Sequence, residues 1–322
     1  MNKKQACRAV AFLAVVFLLL HICSVMSVRM TRSKDPVYSV LSTDLLHEPE
    51  NTIDVIAFGS SNVYSSIMPL EWWNSFGFTG YDFAEASQRA PQTKLAVEQI
   101  YKKQSPKVIL LDVATLFNEK NDLDAYDSTV KAYLEQVFPV IRYHRFFSDP
   151  RRLKNLTAEP GSLTKGYLIR DGAEPGRDRN YMKKGKKDFV INSVIRKQFE
   201  DVIAYCQEQG STVILLEIPE NASWNLTKHQ AISEFAKEKG LTFLDLNLEM
   251  KSELNWATDT VDGGNHMNTV GAKKVTDFLG RYLTEQFDLQ DRRKDSKLAE
   301  KWNADYQVQK EELDRLQNQS DE

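Results

Sequence analysis

Val55-Ile56-Ala57-Phe58-Gly59-Ser60-Ser61-Asn62 is the stretch that decides how this chain is read. Its apolar half fits a short strand buried on both faces, and it runs without a spacer into Gly-Ser-Ser and a helical pattern. A serine at such a junction lies at the carboxyl edge of a sheet, beside the amino end of the next helix, whose N–H groups can hold an oxyanion. Gly59 permits the tight turn. Taken alone, the pattern also fits a serine that only caps a helix.

Working outward, four more short apolar runs read as strands, giving Asp54–Phe58, Tyr81–Ala84, Lys107–Val113, Thr212–Ile218 and Thr242–Leu246. Amphipathic stretches separate them, clearest at Thr93–Lys103 and Ile191–Gln209, and Gly210 and Gly240 stand where helices must give way to strands. Ala272–Gln286 reads as a closing helix. Alternating strands and helices predict an α/β fold, a flavodoxin-like doubly wound sheet of five parallel strands with its crevice at their carboxyl ends. One connection is too long for a compact domain, the insertion 118–188. It should begin with a helix near Ser128–Val140. It is basic, with Arg142, Arg145, Arg151, Arg152 and Lys154, then Arg177, Arg179, Lys183, Lys184, Lys186 and Lys187. That is either a solvated surface or a lid that attracts an anionic polymer or anionic lipid headgroups. After Asp288 comes a tail charged in both signs, with a partial stripe of Leu298, Trp302, Leu313 and Leu316, expected as an exposed helix or a frayed extension.

The second informative stretch is Asp259-Thr260-Val261-Asp262-Gly263-Gly264-Asn265-His266-Met267-Asn268, just before the closing helix. A serine hydroxyl needs a base to take its proton, and histidine suits that task near neutral pH. A carboxylate must in turn fix the imidazole's tautomer. Asp262 and His266 share one short loop, so their contact needs no long-range packing; Asp259 is the alternative partner. The other histidines of the body, His47, His144 and His229, have no comparable sequence neighbourhood. Trp72 and Trp73, in the helix after the serines, fit core packing, with a sugar-stacking platform as the sharper alternative.

At the N-terminus Lys3, Lys4 and Arg8 precede Ala9–Val28, a run free of Asp, Glu, Lys and Arg. Twenty such residues, at ~1.5 Å each, cross the ~30 Å hydrocarbon core of a bilayer. A cleaved signal usually has an apolar core of only ~7–15 residues, although Ser24–Ser27 leaves cleavage open. Arg29, Arg32 and Lys34 follow the run and balance the charges before it, so the positive-inside rule does not set orientation. Residues 29–50 read as a polar stalk and 51–287 as the folded domain. The three cysteines are Cys7, Cys23 and Cys206, and only the last lies in the body, which excludes a disulfide within it and a cysteine-built zinc site. A net charge of -3 gives no global pull toward nucleic acid, and the sequence has no glycine-rich phosphate loop.

The early Gly-Ser-Ser and the late Asp-(x)n-His-x-Asn-(x)2-Gly resemble the first and last blocks of the SGNH (GDSL-like) hydrolases. Phe58–Tyr64, Ile67–Leu70, Gly80–Phe83, Gln88, Ser105–Asp112, His266–Asn268 and Gly271–Thr276 are similar to a Gram-positive branch of that superfamily. The branch includes the D-alanyl-lipoteichoic-acid transfer protein and the alginate O-acetylation proteins. The likeness covers about 52–113 and 190–286. It implies an extracytoplasmic, membrane-anchored serine esterase or O-acyltransferase acting on acyl esters of a cell-surface glycan or wall polymer. A membrane-bound O-acyltransferase would be a partner, with no metal, cofactor or nucleic acid involved. Carried over, Ser61 is the nucleophile, His266 the base and Asp262 its orienter, and the Ser61 N–H serves the oxyanion hole. The chain departs from the family at Ser60, which replaces an Asp, and in the Asp262–His266 spacing. The family's Gly and Asn blocks are not legible, which leaves Gln88 and Asn118 as oxyanion candidates. Those departures keep open a non-catalytic envelope protein that uses the fold for binding or as a scaffold.

Overall fold

The computed structural model describes residues 2–33, 35–39, 41–144, 149–176, 180–185 and 189–320. In chain order the regular elements are α1 (Lys3–Thr31), β1 (Val55–Gly59), α2 (Ser61–Tyr64), α3 (Pro69–Phe76), β2 (Gly80–Ala84), α4 (Ala90–Ile100), β3 (Val108–Asp112), α5 (Asp122–Val137) and α6 (Val140–Tyr143). They continue with α7 (Ser193–Glu208), β4 (Thr212–Glu217), α8 (Leu226–Lys239), β5 (Thr242–Asp245), α9 (Leu246–Glu249), α10 (Thr269–Gln286) and α11 (Ser296–Ser320).

The strands form one parallel sheet in the order β2-β1-β3-β4-β5. This is the doubly wound arrangement expected from the alternation of elements, with its reversal of winding between β1 and β3. Every residue of β1, β2 and β3 is buried, which is why these runs lack polar alternation. One apolar layer centres on Ile56, Phe58, Ile109, Leu111 and Leu215. The opposite layer centres on Val55, Ala57, Leu110, Ile214 and Leu216. The alternation of β1 residues between the two follows from the two-residue period of a strand. Trp72 and Trp73 are both buried, one in each layer, so they are core residues and not a sugar platform.

Two segments pack more closely than their composition foretells. Residues 29–50 do not form a free stalk: Val37, Leu41 and Leu45 are buried, and Arg32 pairs with buried Asp44 at 2.7 Å. The tail is likewise docked. Trp302 is fully buried against Trp73, ring centroids 5.4 Å apart, and Arg292 grips Asp54 through both Nε and Nη2. Buried Lys165 reaches Glu48 at 3.0 Å and Asp305 at 2.5 Å and lies 4.9 Å from the Trp302 ring centre. Lys301 adds a second contact to Glu48, 2.8 Å away. Insertion, N-terminal segment and tail are thus tied at one place. Of the basic residues singled out in the sequence, Lys34, Arg145, Arg177, Arg179, Lys186 and Lys187 lie outside the described residues.

Trp302→Ala should cost about 3–5 kcal/mol, the range for emptying a buried aromatic site. Denaturant unfolding of the full chain checks this; a loss under about 1 kcal/mol would mean that α11 only rests on the surface.

Candidate active site

The functional side chains gather at the carboxyl edge of the sheet. Phe58 and Gly59 end β1, and Ser60 caps α2 in an extended conformation, φ -95° and ψ -160°. Gly59 has no left-handed φ. Its requirement is space: a Cβ there would lie 2.6 Å from the Asp112 Cβ and collide with Val63. Asp112, the last residue of β3, accepts the Ser60 N–H at 3.2 Å and the Ser60 hydroxyl at 3.4 Å, and its other oxygen takes the Ala114 N–H at 2.9 Å. The neighbouring strand therefore holds the turn that presents Ser61, the first residue of α2.

The partner loop arrives from the far end of the chain. Gly263 and Gly264 both have left-handed φ, 72° and 94°, and a Cβ on Gly264 would also collide with Asn221. This double turn folds His266 back on Asp262. The Asp262 carboxylate accepts the His266 backbone N–H at 2.9 Å and faces Nδ1 at 2.5 Å. The imidazole's other nitrogen, Nε2, lies 2.8 Å from Ser61 Oγ. With Nδ1–H donating to the carboxylate, Nε2 is the acceptor of the serine proton. Below the loop, Asn268 caps α10 through the Gly271 N–H at 3.0 Å, while its amide donates to the Thr258 and Gly172 carbonyls at 2.7 and 2.8 Å.

The structure thus brings Ser61, His266 and Asp262 into one hydrogen-bonded chain. Asp259 belongs elsewhere: it is buried, pairs with Lys274 at 2.7 Å and accepts the Asn255 N–H. Neither Gln88 nor Asn118 has a hydrogen bond to Ser61 or His266 among the described residues. Gln88 is buried with its amide on Thr93 Oγ1 at 3.0 Å, and Asn118 is exposed beyond the short helix Ala114–Phe117, because Asp112 pulls the chain after β3 into a tight turn. The Ser61 N–H, at the start of α2, makes no hydrogen bond to the described residues and stands where an oxyanion donor is needed.

Several neighbours had no signal in the sequence. Arg170, within the insertion, binds Ser65 Oγ at 2.8 Å, stacks its guanidinium 5.9 Å from the Tyr64 ring centre, and fixes α10 through its carbonyl to the Thr269 N–H. Burial pushes Asp262 upward, but the hydrogen bonds and charge of His266, with the charge of Arg170, hold its carboxyl below the usual carboxylate range. Glu220 caps the turn after β4 through the Trp224 N–H at 3.1 Å and reaches the Asn62 amide at 3.4 Å. Burial pushes Asp112 up to about 6 against the N–H groups of Ala114 and Ser60, and the Glu220 charge adds to the rise. Glu217, at the end of β4, is driven well above its normal range by burial and by the charges of Asp112, Glu220 and Asp245. His229, read as isolated in the sequence, faces Asp245 at 2.8 Å and Ser233 at 3.2 Å, away from this site on α8 and β5. Among the described residues no cluster of three or more His, Cys, Asp or Glu could hold a metal.

Comparison with solved structures gives distant likenesses. A G-D-S-L-family protein from Desulfitobacterium hafniense is similar at 14% identity and TM-score 0.40, over 72% of this chain and 100% of that one. A GDSL-like lipase from Bacteroides thetaiotaomicron is similar at 11% identity and TM-score 0.39, over 76% and 96%. A lipase/acylhydrolase from Enterococcus faecalis is similar at 10% identity and TM-score 0.38, over 74% and 98%. No family model and no curated protein matches the chain. At such identities the chemistry has to be read from the site's own geometry.

Asp112 offers a test of the electrostatics. A carboxyl raised in the folded state favours folding below its unfolded pKa, ~3.9, and that advantage is lost as pH climbs through the folded value of about 6. Asp112→Asn should therefore flatten the loss of stability between about pH 4 and pH 6, by up to about 3 kcal/mol across that window. Thermal midpoints of both proteins over the pH series decide it; parallel slopes would show that this carboxyl does not titrate there.

Proposed function

We propose that the chain is a membrane-anchored, extracytoplasmic serine esterase or O-acyltransferase of the SGNH type. The observation that carries this reading is the unbroken chain from Ser61 Oγ to His266 Nε2 at 2.8 Å and from Nδ1 to Asp262 at 2.5 Å. Ser61 attacks an acyl carbonyl while His266 takes its proton. Asp262, kept ionised, steadies the imidazolium. The tetrahedral oxyanion faces the Ser61 N–H. Collapse returns the proton from His266 to the departing alkoxide and leaves an acyl ester on Ser61. Water, or a sugar or polyol hydroxyl deprotonated by the same histidine, then removes the acyl group. The reaction needs no metal or cofactor.

Membrane attachment is supported by α1, which is long and apolar enough to cross a bilayer and is largely exposed. A hollow of about 540 Å³ runs from Thr31, at the end of α1, to Tyr64, one turn of helix beyond Ser61. It favours a substrate, or an acyl group, delivered at the membrane surface. The extracytoplasmic side, the glycan or wall-polymer acceptor and a membrane-bound O-acyltransferase as acyl donor follow from the sequence resemblance, and transfer is preferred to hydrolysis on that ground.

A fluorophosphonate probe should label the wild-type chain and leave Ser61→Ala unlabelled. His266→Ala should reduce turnover of a simple acyl ester by roughly 10³-fold or more while moving the thermal midpoint little, because the ring is a partly exposed loop side chain. Full turnover in His266→Ala would remove this mechanism, and no labelling of folded wild type would leave the scaffold reading in its place.

A further inference from the structure

Helix α5 is apolar on the wrong side for a helix that serves only the core. Its inward face carries Ala125, Ser128 and Ala132, all buried. Its outward face carries Leu123, Tyr126, Val130, Tyr133, Leu134 and Val137, all substantially exposed. Their three- and four-residue spacing makes one continuous stripe, and at ~100° per residue it lies roughly 160° around the helix from the buried side. Asp127, Lys131 and Glu135 line one flank of that stripe. A docked helix with large apolar side chains facing away from its own domain has a second surface to meet.

The end of α5 identifies that surface. Phe138, directly after the helix, packs edge-to-face on Phe17 of α1, ring centroids 5.1 Å apart. The Val140 N–H then meets Ser24 Oγ at 3.3 Å, and α6 continues along α1. Phe17 lies roughly 16 Å along the helix axis from Val28, the end of the uncharged run. If α1 spans a bilayer, Phe17 is well inside the hydrocarbon, and the corner joining α5 to α6 enters the lipid with it. Lifting Phe138 clear of the membrane would leave only Ala9–Val16 below the contact, far too short to cross. The exposed stripe of α5 is therefore continuous with the apolar surface of the anchor and ends at its depth.

We infer that α5 is a second membrane-binding element, an amphipathic helix whose outward stripe is buried in the interface of the leaflet nearest the body. A long apolar face with charges along its flank is the pattern of helices that lie in a bilayer surface. The helix Pro150–Thr157 packs on the same end of α1 and places Arg151, Arg152 and Lys154 around a polar hollow with Thr31 and Arg32, at the level of the headgroups. The catalytic domain is then held by two contacts, which fix its tilt over the membrane where a single tether would leave it free to swing. This inference rests on α1 being a membrane span, and it is independent of the chemistry at Ser61.

The test uses the full chain in lipid nanodiscs, in a background carrying Cys7→Ala and Cys23→Ala; the remaining Cys206 is buried. An environment-sensitive fluorophore is placed through Val130→Cys or Tyr133→Cys on α5, or Val15→Cys on α1, and lipids with doxyl-labelled acyl chains are added as quenchers. Loss of emission at 130 and 133 comparable to that at 15 is the expected result. Quenching at 15 alone overturns the inference and leaves the anchor intact. Quenching at none of the three overturns both. Self-quenching between two labelled chains at 130 without lipid quenching would assign the stripe to a second copy of the protein, and also overturns it.

Discussion

Every chemical statement about this protein depends on one contact, the 2.8 Å approach of His266 Nε2 to Ser61 Oγ, between residues 205 positions apart. Parallel strands make it possible by presenting all their carboxyl ends on one rim, so that the turn after β1 and the loop after β5 open toward the same space. Proximity of rims is still too coarse for a hydrogen bond. The finer adjustment comes from α10, which follows the histidine and is fastened to the segment that follows the serine. Thr276 Oγ1 accepts the Met68 N–H at 2.9 Å, and the Thr276 carbonyl accepts Trp72 Nε1–H at 2.9 Å. Buried bonds on both sides of the contact leave little freedom for the two loops to drift apart.

The same rim concentrates buried carboxyls, which is expensive. The Glu220 charge raises Asp112, the charges of Asp112 and Glu220 raise Glu217, and neither oxygen of Glu217 has a hydrogen-bond partner among the described residues. An ionised carboxylate there would face the full cost of desolvation, which is why burial pushes the Glu217 carboxyl well above its ordinary range. Asp112 is the exception that explains the cluster. Its two oxygens accept N–H groups from Ser60 and Ala114, and those bonds shape the two turns bordering Ser61. Stability is given up where the backbone of the site is fixed, a pattern seen where geometry matters more than packing.

Much of this was legible in the chain. All five strands were readable within a residue or two of their ends, because strands buried on both faces leave dense apolar runs that no surface helix imitates. Asp262 and His266 were legible as a pair because four residues and two glycines suffice to bring them together. What escaped was everything decided by packing between distant segments. Asp112 sat inside a predicted strand, and Arg170 was not among the basic residues singled out in the insertion. Gln88 and Asn118 were chosen by their place in the chain, which says nothing of the Gln88 bond to Thr93 or of the exposure of Asn118. The polar segment at 29–50 and the charged tail seemed free because their few apolar residues, Leu41, Leu45 and Trp302, are spaced too irregularly to announce a buried face.

Under the proposed acyl chemistry, the degree of exposure at the site bears on which acceptor it would serve. The Asp262 and His266 side chains retain 37% and 18% of their exposure, so water reaches the triad from the side on which the loop opens. An acyl-Ser61 ester in so open a site is exposed to hydrolysis unless something covers it, because transfer to a sugar hydroxyl requires that water be kept from the activated position. Among the described residues the insertion reaches this rim through Arg170, Gly172 and Glu174, which bind Ser65, Asn268 and Thr260 and leave the Asp262 side open. Under the proposed transfer, a surface covering the open Asp262 side would keep water from the acyl group. On the proposed two-point attachment the site would stand at a fixed height over the bilayer, and a membrane-embedded donor would meet it in a single orientation and seal the open side during transfer.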